Sequence, residues 1–90
     1  MNYLNKIQSQ ARLKGAIDKL KRQGKRIAFT NGCFDILHYG HIKYLQDAKR
    51  ASDVLVLGLN SDASVKKIKG KKRPLNKQTD RARVLAALSC

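Results

Sequence analysis

Ninety residues suffice for one small domain, and a hydrophobic content of 42% is enough to intend a core, so wholesale disorder is excluded. No apolar run approaches the ~20 residues of a membrane span, and the N-terminus lacks the long apolar segment of a signal peptide, so a cytoplasmic location is expected. Twenty Lys and Arg against six Asp and Glu give a net charge of +14, a field for anions that does not by itself choose among nucleotides, sugar phosphates and nucleic acid.

Leu4, Ile7, Ala11, Leu13, Ile17 and Leu20 recur at roughly helical spacing and predict an amphipathic helix over residues 3–22, with Gly24 as its C-terminal cap. Residues 26–31 read as a first strand, apolar without clean alternation, as in a strand covered on both faces. A glycine turn follows, and a helix opens at Gly40 or its neighbour and runs to about Ala51. Residues 53–60 form a continuous apolar run and a second strand. Strand, helix, strand is a βαβ unit, so the two strands should be parallel. Asn60 or Ser61 caps a short helix through Ile68. Lys69 to Gln78 reads as a basic loop, and Thr79 to Leu88 as a last helix with Val84, Leu85 and Leu88 on one side. The fold class is α/β, doubly wound, with residues 1–24 as an N-terminal helix and 25–90 as a βαβ core in a single domain.

Ligands in such folds bind beyond the carboxyl ends of the strands. Both loops at those ends, 31–41 and 60–64, carry polar residues. The chain holds only two histidines, His38 and His41, both in one turn beside Gly40 and after a strand. Unpaired N–H groups and the macrodipole at a helix start attract phosphate, and two imidazoles add donors. Gly40 lets the backbone approach a phosphate closely. Zinc is a poorer guest, because two histidines without a third protein ligand do not close a site.

Gly32 serves the turn, and Phe34 reads as core more than as a platform for a base. Asp35 either orients backbone donors or holds the loop through its side chain, and a lone Asp argues weakly for a metal. Asn60-Ser61-Asp62 caps the helix that faces the first loop. Lys66, Lys67, Lys69, Lys71, Lys72, Arg73 and Lys77 crowd twelve positions; one or two would clamp phosphates and the rest are surface charge. Cys33 reads as a small, half-buried thiol, and Cys33 and Cys90 lack both disulfide-framework and metal spacing.

The run Asn31-Gly32-Cys33-Phe34-Asp35-Ile36-Leu37-His38-Tyr39-Gly40-His41 resembles the first motif of the cytidylyltransferase-like nucleotidyltransferases, which share a histidine–x–glycine–histidine signature. Gly58 to Val65, Lys69-Gly70, Arg73-Pro74-Leu75-Asn76 and Asp80-Arg81-Ala82 through Leu88 resemble, in that order, the adenylyltransferase domains of bacterial ADP-heptose synthases. The resemblance implies a Rossmann-like half-domain and transfer of an adenylyl group from ATP to a sugar 1-phosphate such as heptose 1-phosphate, with Mg²⁺ carried on the phosphates. It implies His38, His41 and Lys69 as catalytic residues. It also implies Asn31, Gly32, Phe34, Asp35, Gly40, Asn60, Asp62 and Arg81 as the nucleotide-binding set. Members of that family continue into further strands and a later helix-start motif. The chain is therefore expected to be the N-terminal half of such a domain, completed by further chain or by a second copy in a homo-oligomer. Two alternatives come from other classes: a basic nucleic-acid-binding module, though the aromatics do not interleave with the basic loop as stacking platforms would, and a non-catalytic fragment that only assembles.

Overall fold

The computed structural model describes residues 2–90. A 3₁₀ turn spans Tyr3–Lys6, followed by helix α1 at Gln10–Arg22, strand β1 at Ile27–Gly32 and helix α2 at Tyr39–Arg50. Strand β2 at Val54–Leu59, helix α3 at Asp62–Lys69 and helix α4 at Gln78–Ala86 complete the order. β1 and β2 pair in parallel from Ile27 opposite Val54 to Gly32 opposite Leu59, as the βαβ reading requires. Arg26 and Asp53 tie the entry of the pair: the Arg26 amide donates to the Asp53 carboxylate at 2.7 Å and the Asp53 amide to the Arg26 carbonyl at 2.9 Å.

The single helix expected over residues 3–22 is two pieces. Two side chains each cap their own start: Asn2 Oδ1 accepts from the Leu4 amide at 2.9 Å, and Ser9 Oγ accepts from the Arg12 amide at 3.3 Å. A short polar side chain that satisfies a first-turn N–H favours a new helix start over continuation, so Ile7 to Ser9 stay outside both pieces. Lys6 Nζ reaches the Leu88 carbonyl at 2.8 Å and anchors this N-terminal turn to the end of the chain.

The core is small. Leu45 of α2, Val56 of β2, Val65 of α3, Ala86 of α4 and Phe34 of the first turn are its buried apolar members. Full burial of a Leu or Val side chain contributes roughly 1.5–3 kcal/mol, and Leu45 and Val65 have almost no exposed surface. The hydroxyls of Thr30 and Tyr44 hydrogen-bond and join α2 to β1.

Both faces of the strands are expected to be covered, and one face differs. Phe29 is 64% exposed. A cleft of about 890 Å³ separates it and Asn31 from the half-buried Leu13 and Ile17 of α1, so α1 stands off the sheet. Alternate residues Leu55, Leu57 and Leu59 of β2 line a second, apolar pocket with Leu85 and Leu88. No helix among the described residues is long and apolar enough to cross a membrane.

Candidate functional site at the carboxyl ends of the strands

β1 and β2 end side by side, with Asn31 opposite Gly58 and the Asn60 amide donating to the Gly32 carbonyl at 3.0 Å. The two loops that leave these ends therefore start from one place. Asn31, Gly32 and Asn60 lie there together. Asn60 does not cap α3; Ser61 does, accepting from the Ser64 amide at 3.1 Å, while Asn60 Nδ2 donates to Ser64 Oγ at 3.0 Å.

Gly32 is required by packing. A Cβ at this position would stand 2.9 Å from Phe34 Cε2. Phe34 has φ 48°, the left-handed region, and its ring is buried edge-on to His41 with centroids 5.6 Å apart. Phe34 thus supports the histidine from inside and presents no open face for a base.

His38 is the N-cap of α2, and the two histidines form a capping box. His38 Nδ1 accepts from the Gly40 amide at 3.0 Å, and His41 Nδ1 accepts from the His38 amide at 3.3 Å. A neutral imidazole that accepts at one nitrogen carries its proton on the other. This pattern assigns the proton to Nε2 in both rings, and neither Nε2 has a protein partner among the described residues. The rings sit 4.0 Å apart between centroids. Burial, and next the charge of His38, push the His41 pKa below its usual 6.5, which favours the neutral donor form. Two Nε2–H donors beside the positive end of a helix form an arrangement suited to anionic oxygens.

Two more residues assigned to the nucleotide by resemblance, Asp35 and Arg81, lie inside the protein instead, and the half-exposed Asp62 is engaged by one of them. Asp35 is buried; its carboxylate accepts from Arg73 Nε at 2.6 Å, the Leu75 amide at 2.7 Å and the Asn76 amide at 2.8 Å. Burial alone would raise its pKa, but the two amides and the Arg73 guanidinium outweigh it and hold the value at about 2. Arg81 was expected to reach the phosphates, and this is corrected: the side chain is 1% exposed and all its nitrogens are committed. Nη1 donates to the Cys33 carbonyl at 2.6 Å, Nε to the Asn76 carbonyl at 3.0 Å and Nη2 to Asp62 Oδ1 at 2.7 Å. Asp62 Oδ1 also accepts from the Gln78 amide at 2.7 Å, so it caps α4 from a neighbouring helix, and Lys77 at the N-cap needs no side-chain bond. Lys69 is the exposed last residue of α3 and has no hydrogen-bond or ion-pair partner among the described residues.

Arg73 and Asn76 are structural members of the site that the basic-loop reading did not single out. In a chain with 20 cations and six acids, a carboxylate in a tight turn must find a cation when buried. That imbalance was the available signal, but it does not say which cation.

The Mg²⁺ implied by the resemblance does not fit a cage of protein ligands. No group of three or more His, Cys, Asp or Glu able to hold a metal exists among the described residues. The carboxylates of Asp35 and Asp62 are already occupied by Arg73, Arg81 and backbone amides.

A profile of the cytidylyltransferase-like family matches residues 29–90. The chain is similar to the bifunctional protein HldE of Geobacter metallireducens, 61% identical over 85 residues, covering 94% of this chain and 17% of that protein. It is 53% identical over all 90 residues to the HldE of Syntrophotalea carbinolica, covering 18% of it. It is 64% identical over 70 residues to that of Aliarcobacter butzleri, covering 78% of this chain and 15% of the relative. The chain thus spans about a sixth of the length of these relatives. With the histidine pair, its capping geometry and the parallel βαβ frame inside the matched segment, the chain belongs to the cytidylyltransferase-like family.

Proposed function

We propose that this chain supplies the triphosphate-binding half of an adenylyltransferase site acting on ATP and a sugar 1-phosphate, with heptose 1-phosphate as the acceptor of choice. The observation that carries the reading is the paired use of Nδ1 in His38 and His41, which leaves two Nε2–H donors at the start of α2. In the reaction, a phosphate oxygen of the sugar attacks the α-phosphorus of ATP. The new O–P bond forms as the bond to the β-phosphate oxygen breaks, and pyrophosphate leaves with the electron pair. His38 and His41 donate hydrogen bonds to the phosphate oxygens where charge develops. Gly40 leaves room for the His38 ring, and Phe34 supports His41 from the core. The unpaired lysines, Lys69 among them, supply positive charge for the pyrophosphate.

Adenine and heptose enter through the resemblance to ADP-heptose synthases, and the phosphate chemistry through the geometry. Isothermal titration tests the reading: ATP is expected to bind the wild type and to bind the His38→Ala/His41→Ala variant at least tenfold more weakly. Equal affinity in the two proteins would contradict the site. Titration with CTP beside ATP tests the base, and a preference for CTP would contradict the adenylyl assignment alone.

A further inference from the structure

We infer that Asp35, with Asn76 and Arg81 behind it, is a positioning residue. It docks the lysine-bearing segment 71–77 onto the histidine turn, so that the segment forms the second wall of the triphosphate site. The inference rests on the triphosphate reading above and goes beyond it, because it names the device that brings the lysines to the site.

Residues 33–37 and 71–77 are far apart in sequence and belong to no common sheet or helix. Among the described residues no backbone–backbone hydrogen bond joins them. Their contact is made by side chains. The Asp35 carboxylate gathers Arg73 Nε and the Leu75 and Asn76 amides, and Asn76 Nδ2 returns a bond to the Asp35 carbonyl at 2.7 Å. Arg81 closes the junction from below, holding the carbonyls of Cys33 and Asn76 with one guanidinium. The Asp35 and Arg81 side chains are about 1% exposed, and Arg73 is 32% exposed. In such surroundings a charge-assisted hydrogen bond is stronger than in water, and loss of one partner leaves the other buried and unpaired.

Its consequence lies in what the segment carries. Lys71, Lys72 and Lys77 are exposed, and none of their ammonium groups has a hydrogen-bond or ion-pair partner among the described residues. Consecutive Cα atoms are about 3.8 Å apart, so Lys72 and Lys71 lie one and two residues from the Arg73 anchor. The other end of the same clamp, Asp35, is three residues before His38. Undocked, the three lysines would sit on a free loop and share the site only part of the time. Docked, they are held beside it, and the entropy of ordering them is spent at folding and not at binding.

Two measurements on the whole chain test this. The first needs no ligand: hydrogen exchange of the Leu75 and Asn76 amides, both donors to Asp35. They should be protected in the wild type, and at least tenfold less so in Asp35→Asn. Fast exchange of these amides in the wild type would overturn the docking. The second is a thermodynamic cycle in ATP affinity. Lys71→Ala/Lys72→Ala should weaken ATP roughly fivefold, the scale of two exposed ion pairs. Asp35→Asn should weaken it by a similar factor, and the triple variant no further, because the lysines act only when docked. A merely structural Asp35 would give losses that multiply, and that result would overturn the inference while leaving the triphosphate reading standing. Absence of ATP binding to the wild type would overturn both. Where Asp35→Asn fails to fold by circular dichroism, Asn76→Ala, which removes a single bond of the junction, takes its place in the same cycle with the same expected and overturning results.

Discussion

The His38 ring lies directly over Gly40: Nδ1 accepts the Gly40 amide at 3.0 Å, and a Cβ on residue 40 would stand 2.8 Å from His38 Cε1. The glycine is thus fixed by the histidine ring above it and not by its own backbone angle, which is absent from the left-handed set of Gly24 and Gly70.

Gly40→Ala should therefore separate stability from binding. Alanine raises helix propensity by about 1 kcal/mol, and displacement of the His38 cap removes about the same. The melting temperature should shift by only a few degrees. ATP affinity should fall by roughly tenfold or more, since one hydrogen bond to a charged group contributes about 1.5–3 kcal/mol. Thermal melts and titrations on the same variant check both signs.

His41 gives the pH dependence near neutrality. Its folded pKa lies below 6.5, through burial first and the neighbouring His38 second. The folded chain thus binds this proton less readily than the unfolded chain. The penalty is absent well above pH 6.5, and stability falls as pH drops from 6.5 toward the lowered value. Urea unfolding from about pH 7.5 to about pH 5.5 should show this loss, and His41→Gln should flatten it. Bound triphosphate should raise the His41 pKa, because an adjacent anion favours the imidazolium.

The acid limb belongs to Asp35. Its carboxyl is lowered to about 2 from the usual 3.8. A depressed carboxylate contributes stability that is complete above the unfolded value and lost as pH falls toward the folded one. The wild type should lose stability between about pH 4 and pH 2, and Asp35→Asn should show a shallower loss in that window from a lower starting level.

Gly32→Ala should destabilise the chain by about 1–3 kcal/mol, the usual range for overpacking, since the new Cβ meets the buried Phe34 ring at 2.9 Å. Arg81→Ala should remove about 1–3 kcal/mol for each of the Cys33 and Asn76 carbonyls left without its buried donor, a large part of the stability of a chain of this size. Arg81→Lys cannot reproduce three divergent donors and should rescue little. Chemical denaturation of the three variants checks the order.

The parallel βαβ frame, both strand ends to within a residue and the start of α2 were legible because apolar runs and glycine turns are local signals. So was the histidine pair, since its two members share one helical turn. The break at Ile7 to Ser9 was not, because the apolar rhythm of Leu4, Ile7 and Ala11 continues across it and the Asn2 and Ser9 caps decide the matter. The role of Arg81 was also illegible. Its partners Cys33 and Asp62 lie 48 and 19 residues away, and only the packing of three loops shows that its charge is turned inward. A turn aspartate such as Asp35 can be read locally as a holder of its loop, but the identity of what it holds is a long-range fact.

The proposed site requires His38 and His41 to keep Nδ1 for the backbone and to offer Nε2–H to phosphate. Long-range ¹H–¹⁵N correlation spectra of the two rings, recorded at about pH 7.5 through a titration with ATP, test it directly. Both free rings should show protonated Nε2 and unprotonated Nδ1, with both Nε2 signals moving along one saturating curve as ATP binds. Protonated Nδ1 in either free ring, or Nε2 signals that stay in place while ATP binds elsewhere, would contradict it.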